Sequence, residues 1–158
     1  MYIRRLLDDE YEDVVKLITQ TVHCVCAKDY TKEELNAWAP ENFDVFKFRS
    51  NLSGCLNLAA FEKGKMVGFL SMERDGYINR LYTHKDFLRQ GIATALFKKA
   101  QLWAEEKGIC ELSLDSSKTA EAFYLKMGFV KSGISVMSHK GVVFRNTVMK
   151  KVIKDGKA

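Results

Sequence analysis

The stretch "LYTHKDFLRQGIATALF", residues 81–97, decides the fold. An apolar segment ends in a short basic turn, and from Gly91 onward the sequence becomes an apolar, helix-favouring run. The first N–H groups of a helix have no partners within it, and the helix dipole adds partial positive charge, so an anion binds there readily. Gly91 and the small Ala93 leave room at the main chain, and Arg89 and Gln90 add donors. The stretch alone indicates either a plain helix start or an anion site.

Two common phosphate-binding loops are excluded because their required residues are missing. Neither G-x-x-x-x-G-K-[ST] nor G-x-G-x-x-G occurs in the sequence. The net charge of +5 permits an acidic partner, but the basic residues are scattered and lack the interleaved aromatics of a single-strand-binding groove. We therefore expect no nucleic-acid partner, whereas a small phosphate-rich cofactor would use the same charge.

Length and composition indicate one globular domain. The chain has 158 residues, of which 47% are hydrophobic and 28% charged. No apolar run approaches the roughly 20 residues that cross a bilayer, so we expect no membrane partner. The start, "MYIRRLLDDEYED", is charged too early for a secretory signal, and we expect a cytoplasmic location. The four cysteines do not have metal-ligand spacing, and we expect no metal.

Hydrophobic periodicity predicts strands that alternate with helices. The predicted strands cover residues 1–6, 55–62, 66–73, 77–83, 109–115 and 142–153. The predicted helices cover residues 8–29, 31–39, 91–108 and 118–128, with a less regular helical stretch over 41–52. Thr31 and Glu34 have the spacing of a capping box, and Asp75-Gly76 predicts a tight turn. The order predicts an α/β fold in which helices cover a mixed sheet.

Two motifs together resemble the Gcn5-related N-acetyltransferase (GNAT) family. That family has a strand ending in an L-x-V-like segment, a [Q/R]-x-x-G-x-[G/A] turn opening a helix, and a later N-x-x-A-x-x-x-Y-x-x-x-G-F helix. The corresponding segments here are residues 81–83, residues 88–93 and "SKTAEAFYLKMGF", residues 117–129. The resemblance implies a GNAT-like mixed, mostly antiparallel sheet of about six to seven strands flanked by helices. It also implies a single acetyltransferase domain over residues 1–153, with a polar tail over 154–158.

The resemblance assigns a role to each matching residue, with acetyl-CoA as the acetyl donor. Main-chain groups of Leu81, Tyr82 and Thr83 would pair with the pantetheine arm, and one N–H would polarise the thioester carbonyl. Tyr124 would protonate the departing thiolate. On spacing alone, Tyr124 is better suited to the core, because it shares a helix face with Ala120, Phe123 and Met127. The register of "FYLKMGF" with the glycine turn favours the catalytic role instead. The pyrophosphate would be held by the amides of the next segment, which comprises Arg89, Gln90, Gly91, Ile92, Ala93 and Thr94.

Two residues depart from the family pattern. Leu88 stands where the family usually has Gln or Arg, which removes one side-chain contact to the cofactor. Ser117 stands where many members have Asn, so its contact to the pantetheine arm would be shorter or lost. Both changes would weaken cofactor affinity without altering the chemistry.

The sequence does not identify the general base or the acceptor. Many relatives carry a glutamate on the fourth strand, but here that strand reads "YINRLYT", so Glu73, Asp115 and His23 are the candidates. The segment between the first two strands holds His23, Tyr30 and Trp38, which we expect to contact the acceptor together with Glu73.

Three hypotheses remain at this stage. The first is an N-acetyltransferase acting on a primary amine of a small molecule or peptide, with a homodimer compatible with the sequence. The second is a catalytically silent acetyl-CoA-binding sensor or interaction module, favoured by the missing base and by Leu88. The third is a nucleic-acid-binding protein that uses the net positive charge.

Overall fold

The computed structural model describes residues 1–154, which form seven strands and five helices joined by short turns. The strands are β1 (Tyr2–Arg5), β2 (Leu56–Glu62), β3 (Lys65–Met72), β4 (Ile78–Thr83), β5 (Glu111–Ser116), β6 (Val130–His139) and β7 (Val142–Val152). The helices are α1 (Tyr11–Val25), α2 (Lys32–Trp38), α3 (Val45–Asn51), α4 (Ile92–Glu106) and α5 (Glu121–Lys126).

The strands form two antiparallel sheets that meet at one point. The first sheet has the order β1-β2-β3-β4 and the second the order β5-β7-β6. An isolated parallel bridge between Tyr77 and Ser113 connects them, just before β4 begins. Beyond this bridge, within residues 1–154, β4 pairs only with β3, and β5 pairs only with β7. The two strands therefore diverge and leave a cleft between them.

Helices cover both faces of the first sheet. On β3, the neighbouring residues Phe69 and Leu70 are both fully buried, but they point to opposite faces because side chains alternate along a strand. Leu70 packs in a cluster that includes residues of α4 and α5. Phe69 packs in a second cluster that includes residues of α1, α2 and α3. This packing on both faces, together with the pairing of β4 to β3, fixes the position of β4. The edge of β4 that faces β5 stays open.

A β-bulge distorts β4 beside the cleft. Ser71 of β3 pairs with Arg80, but the next residue, Met72, pairs with Ile78, so Asn79 has no partner in the ladder. A bulge bends its strand and increases the local twist. This distortion lies where β4 begins to separate from β5.

The fold class predicted from the sequence is confirmed, with seven strands in two sheets flanked by helices. The Thr31–Glu34 capping box is also confirmed, with both hydrogen bonds present.

The predicted first helix is too long, because short 3-10 turns at 8–10 and 26–28 flank α1. The order predicted from periodicity lacked β6. Its side chains are exposed along nearly its whole length, so no buried alternation marks it.

The predicted boundary between domain and tail stays a prediction. Of the tail proposed over residues 154–158, only Lys154 is among the described residues. Residues 155–158 lie outside them.

Gly76 is the residue at which the two sheets join. Its φ is +97°, and a methyl group there would lie 2.7 Å from the carbonyl oxygen of Glu111. We expect Gly76→Ala to lower the free energy of unfolding by about 1–3 kcal/mol more than Gly64→Ala. Gly64 is the matched control, because its φ is +80° but a methyl group there meets no atom within 4 Å. If denaturant unfolding shows the same loss of unfolding free energy for both variants, the close contact between Gly76 and the Glu111 carbonyl does not constrain the joint.

Candidate active site

The divergence of β4 and β5 opens a cleft of about 1090 Å³. Besides the two strands, its lining includes residues of α1 and α2, of the β6–β7 hairpin, of the start of α4 and of half of α5. Ligand pockets typically measure roughly 300–1,000 Å³. The cleft is therefore large enough for an extended ligand.

The N-terminus of α4 is open toward this cleft. Arg89 and Gly91 have φ values of +59° and +82°, and Gly91 is the N-cap residue without a side-chain hydrogen bond to the helix. By contrast, Thr31 caps α2 and Asp44 caps α3 through their side chains. A methyl group on Gly91 would meet no atom within 4 Å, so the main chain is directly accessible. Unpaired amides at a dipole end, next to left-handed residues, form a site suited to an anion.

The free edge of β4 forms a wall of the same cleft. Leu81, Tyr82 and Thr83 all line it, and among the described residues 1–154 their strand pairs only with β3. The Thr21 hydroxyl donates a hydrogen bond of 2.9 Å to the carbonyl oxygen of Thr83, which fixes the end of the strand to α1. An extended ligand can pair with such an edge through its own amide groups.

Tyr124 is buried on α5 and lines the cleft. Its ring packs edge-on against Phe123 and Phe129, with centroid separations of 5.3 and 5.4 Å. Burial raises the pKa of Tyr124 well above its ordinary value, and the nearby Tyr82 and Tyr77 raise it further. The phenol is therefore held in its protonated, hydrogen-bond-donating form.

An aromatic cluster also lines the cleft. The ring of Trp38 lies 5.3 Å from that of Tyr30, 6.4 Å from that of Tyr82 and 6.5 Å from that of Phe144. The indole N–H of Trp38 donates a 3.0 Å hydrogen bond to the Tyr82 hydroxyl. Tyr30 accepts a 2.9 Å hydrogen bond from the backbone N–H of Lys118. These contacts hold α2, β4 and the loop before α5 together.

The Ser117 hydroxyl already has a local partner. It accepts a 3.2 Å hydrogen bond from the backbone N–H of Ala120, which stabilises the turn that leads into α5. Its O–H donor and its second lone pair remain for a ligand, within the short reach of a serine side chain. Leu88 is extended, is 40% exposed and also lines the cleft, without offering a polar group.

Most residues predicted for the site line this one cleft. They are Leu81, Tyr82, Thr83, Arg89, Gly91, Ile92, Ala93, Thr94, Ser117, Tyr124, Tyr30 and Trp38. Three others are not among the lining residues. The side chains of Gln90 and Glu73 are exposed, and Nε2 of His23 donates a 2.7 Å hydrogen bond to the Ala39 carbonyl. His23 thus tethers α1 to the end of α2.

Of the three candidate bases, the structure brings only Asp115 to the cleft. Its carboxylate accepts a 3.0 Å hydrogen bond from the hydroxyl of Tyr77, which also lines the cleft. Burial, followed by the Asp115 carboxylate, raises the pKa of Tyr77 to about 12. Tyr77 therefore remains a donor to Asp115 at neutral pH.

Sequence reasoning missed the contribution of the β6–β7 hairpin. Phe144 and Asn146, two residues apart on β7, both line the cleft. Alternation along "VVFRNTV" was a usable signal, but a period of two does not indicate which face meets a ligand. Lys28, which also lines the cleft, was missed as well, since an isolated lysine carries no pattern.

Metal-binding clusters and membrane-spanning helices are both absent from residues 1–154. No three His, Cys, Asp or Glu side chains there cluster closely enough to hold a metal ion. None of the helices in that range is long and apolar enough to cross a membrane.

Comparison with known proteins identifies the family. Residues 26–152 match the family described as "Acetyltransferase (GNAT) domain". The chain is 25% identical over 148 residues to the uncharacterised N-acetyltransferase YafP of Escherichia coli K12, covering 94% of this chain and 93% of that protein.

Solved structures with the same architecture point to the same family. A Gcn5-related N-acetyltransferase from Rhodopseudomonas palustris superposes with a TM-score of 0.92 at 30% identity, covering 96% of this chain and 95% of that one. The PaiA N-acetyltransferase from Thermoplasma acidophilum, in complex with coenzyme A, has the same fold, with a TM-score of 0.72 at 22% identity over 96% and 98% of the two chains. The chain therefore belongs to the GNAT family of acetyltransferases.

Proposed function

We propose that this protein transfers the acetyl group of acetyl-CoA to a primary amine of a small molecule or peptide, by direct attack on the thioester. One arrangement carries the proposal: the uncapped start of α4, the free edge of β4 and the buried Tyr124 all line a single cleft. They offer, in turn, an anion site, a strand edge and a proton donor. The coenzyme A complex of PaiA, which shares this fold, supports the choice of donor.

The residues around α4 fit the diphosphate of acetyl-CoA. The amides of Gly91 to Thr94 would bind it at the positive end of the helix dipole, and Arg89 would add a positive charge. Leu88 contributes no polar contact, so this binding depends mainly on the backbone. When bound, acetyl-CoA supplies an acyl group activated as a thioester.

The edge of β4 would orient the reacting end of the donor. Unpaired main-chain groups between Leu81 and Thr83 would bind the pantetheine amides. A backbone N–H there would also stabilise the negative charge that develops on the carbonyl oxygen during attack. Such preorganised positioning accounts for much of the rate that the site can supply.

Two proton movements complete the reaction. The amine acceptor is protonated at neutral pH and loses a proton before it attacks. Asp115, held by Tyr77, would accept that proton directly or through water. As the carbon–sulfur bond breaks, the Tyr124 hydroxyl would donate its proton to the departing sulfur and recover one from the attacking nitrogen.

The direct test incubates the protein with acetyl-CoA and a panel of primary amines and measures thiol release and acetylated product. Acetyl transfer to at least one amine supports the proposal. Binding of acetyl-CoA by calorimetry, with no turnover of any amine, would instead favour the silent sensor or interaction module.

Removal of the Tyr124 hydroxyl tests the acid role. We expect Tyr124→Phe to lower kcat by about a hundredfold or more, because general acid catalysis typically contributes that much. The dissociation constant for acetyl-CoA, measured by calorimetry, should change little, since the ring still fills its buried site. Tyr2→Phe is the control, because Tyr2 is half-exposed and stacks on Phe61 away from the cleft.

The pH dependence gives a second readout for Tyr124. Its pKa is raised, so the phenol stays protonated up to and beyond the ordinary tyrosine value of about 10. No loss of kcat due to Tyr124 should appear below that pH. A descending limb near pH 8 that disappears in Tyr124→Phe would argue against a buried, protonated donor.

Gly91 tests the diphosphate site. We expect Gly91→Ala to weaken acetyl-CoA binding by about tenfold or more, because a methyl group would enter the space through which the diphosphate reaches the amides. Gly108→Ala, at the other end of α4, is the matched control: its φ is +77° and its surroundings are equally open. Both variants should lose similar stability. If both also bind acetyl-CoA equally well, the diphosphate does not lie at Gly91.

A further inference from the structure

The aromatic cluster that lines the cleft consists of Tyr30, Trp38, Tyr82 and Phe144. It reaches the reacting groups through Tyr82, which belongs to the β4 edge that would bind the pantetheine arm. Burial raises the pKa of Tyr124, and Tyr82 and Tyr77 raise it further, so both of these tyrosines lie near the Tyr124 phenol. Tyr77 also binds Asp115. An amine that reacts between Tyr124 and Asp115 would therefore lie next to the cluster.

The polar groups of the cluster already have partners within the protein. The Trp38 indole N–H donates to the Tyr82 hydroxyl at 3.0 Å, and the Tyr30 hydroxyl accepts from the backbone N–H of Lys118 at 2.9 Å. Phe144 has no polar atom in its side chain. The cluster therefore offers a ligand mainly ring surface, which favours contact with apolar groups.

Packing within the cluster holds this surface in place. Trp38 and Tyr82 are half-buried, whereas Tyr30 and Phe144 are buried. The Trp38 ring meets the rings of Tyr30 and Phe144 edge to face, at interplanar angles of 71° and 74°. Because the buried rings support the partly exposed ones, a ligand would bind the surface with little loss of side-chain freedom.

The charges of the cleft agree with an acceptor whose remaining body is uncharged. Among the described lining residues, Asp115 carries the one carboxylate, and the proposed reaction already assigns it to the reacting amine. The Asp29 carboxylate is outside the lining, although it accepts a 2.8 Å hydrogen bond from the lining residue Thr119. Four Lys and Arg side chains also line the cleft. A second ammonium group on the acceptor would therefore gain little from these charges.

We infer that the acceptor is a primary amine carried on an apolar body, either an alkyl chain or a ring, and that the aromatic cluster binds this body. The inference rests on the proposed function and specifies its substrate class. Trp38 is then a specificity-determining residue, which selects the acceptor without moving a proton. A small amine and the N-terminal residue of a peptide can both supply this chemistry, so the test has an arm for each.

The test compares amines of equal length that differ in polarity. Hexylamine, 2-(2-aminoethoxy)ethanol and 1,5-diaminopentane have the same number of non-hydrogen atoms in one unbranched chain. The kcat/KM for acetylation, expressed per unprotonated amine, should favour hexylamine over the ether alcohol by about tenfold or more, because apolar surface is buried only with hexylamine. Phenylalanylglycine and serylglycine form the peptide arm. A preference for the apolar member in either arm supports the inference, and the arm with the larger kcat/KM identifies the source.

Two variants of Trp38 separate its ring from its hydrogen bond. Trp38→Gln keeps a donor for the Tyr82 hydroxyl but loses the apolar surface, so the preference should fall by about fivefold or more. Trp38→Phe keeps a ring and loses the donor, so most of the preference should remain. If Trp38→Phe abolishes the preference as completely as Trp38→Gln does, the ring does not bind the acceptor.

Trp103→Gln is the matched control. Trp103 is also half-buried, but it packs on the core from α4 and is not among the residues that line the cleft. This variant should leave the preference unchanged. Because the readout is a ratio of two substrates on one protein, partial misfolding or weaker acetyl-CoA binding cancels.

The outcomes separate the inference from the function beneath it. If the polar amines are acetylated as well as their apolar partners, if 1,5-diaminopentane is preferred to hexylamine, or if Trp38→Gln leaves the preference intact, the inference is wrong while acetyl transfer stands. If acetyl-CoA binds but neither these amines nor any amine of the wider panel is acetylated, both the proposed function and the inference fail.

Discussion

The joint between the two sheets, the one bridge that connects them within residues 1–154, is the constraint on which the rest of the structure depends. At this joint the Ser113 N–H donates a 3.1 Å hydrogen bond to the Gly76 carbonyl, beside the isolated bridge from Tyr77 to Ser113. If β4 and β5 continued to pair beyond this point, their edges would satisfy one another and no cleft would form. Because they separate, one sheet edge remains free for a ligand. Gly76 allows the close approach, since any side chain there would collide with Glu111.

Packing on both faces of the first sheet keeps the cleft open. Burial of apolar side chains against α4 on one face and α1 on the other fixes β4 without a partner on its β5 side. Hydrogen bonds then set the finer geometry: Thr21 holds the end of β4, Trp38 holds the Tyr82 hydroxyl, and Tyr30 is joined to the turn before α5. The rigid core therefore positions groups that come from distant parts of the chain.

The parts of the site that local backbone chemistry specifies could be predicted from the sequence. The helix start at Gly91 could be predicted from the sequence, with an anion site as one of its two interpretations, and the spacing to Tyr124 gave a second landmark. The capping box at Thr31 was equally local. These features depend on residues that are close together along the chain.

Features that depend on contacts between distant segments could not be predicted in this way. β6 was missed because an exposed edge strand has no buried face to generate a pattern. The pairing of Tyr77 with Asp115 joins residues 38 positions apart, and that of Lys118 with Tyr30 joins residues 88 positions apart. His23 has the side chain of a catalytic base, but it serves as a tether to Ala39, which only the packing of α1 on α2 reveals.

The central claim is that the thioester lies in the cleft between β4 and β5, with its sulfur next to Tyr124. A crystal structure of the protein with bound acetyl-CoA tests this most directly. The account predicts that the sulfur lies within about 4 Å of the Tyr124 hydroxyl oxygen and that the diphosphate contacts the amides of Gly91 to Thr94. A complex in which the diphosphate lies away from α4, or in which the sulfur points out of the cleft toward solvent, would contradict it.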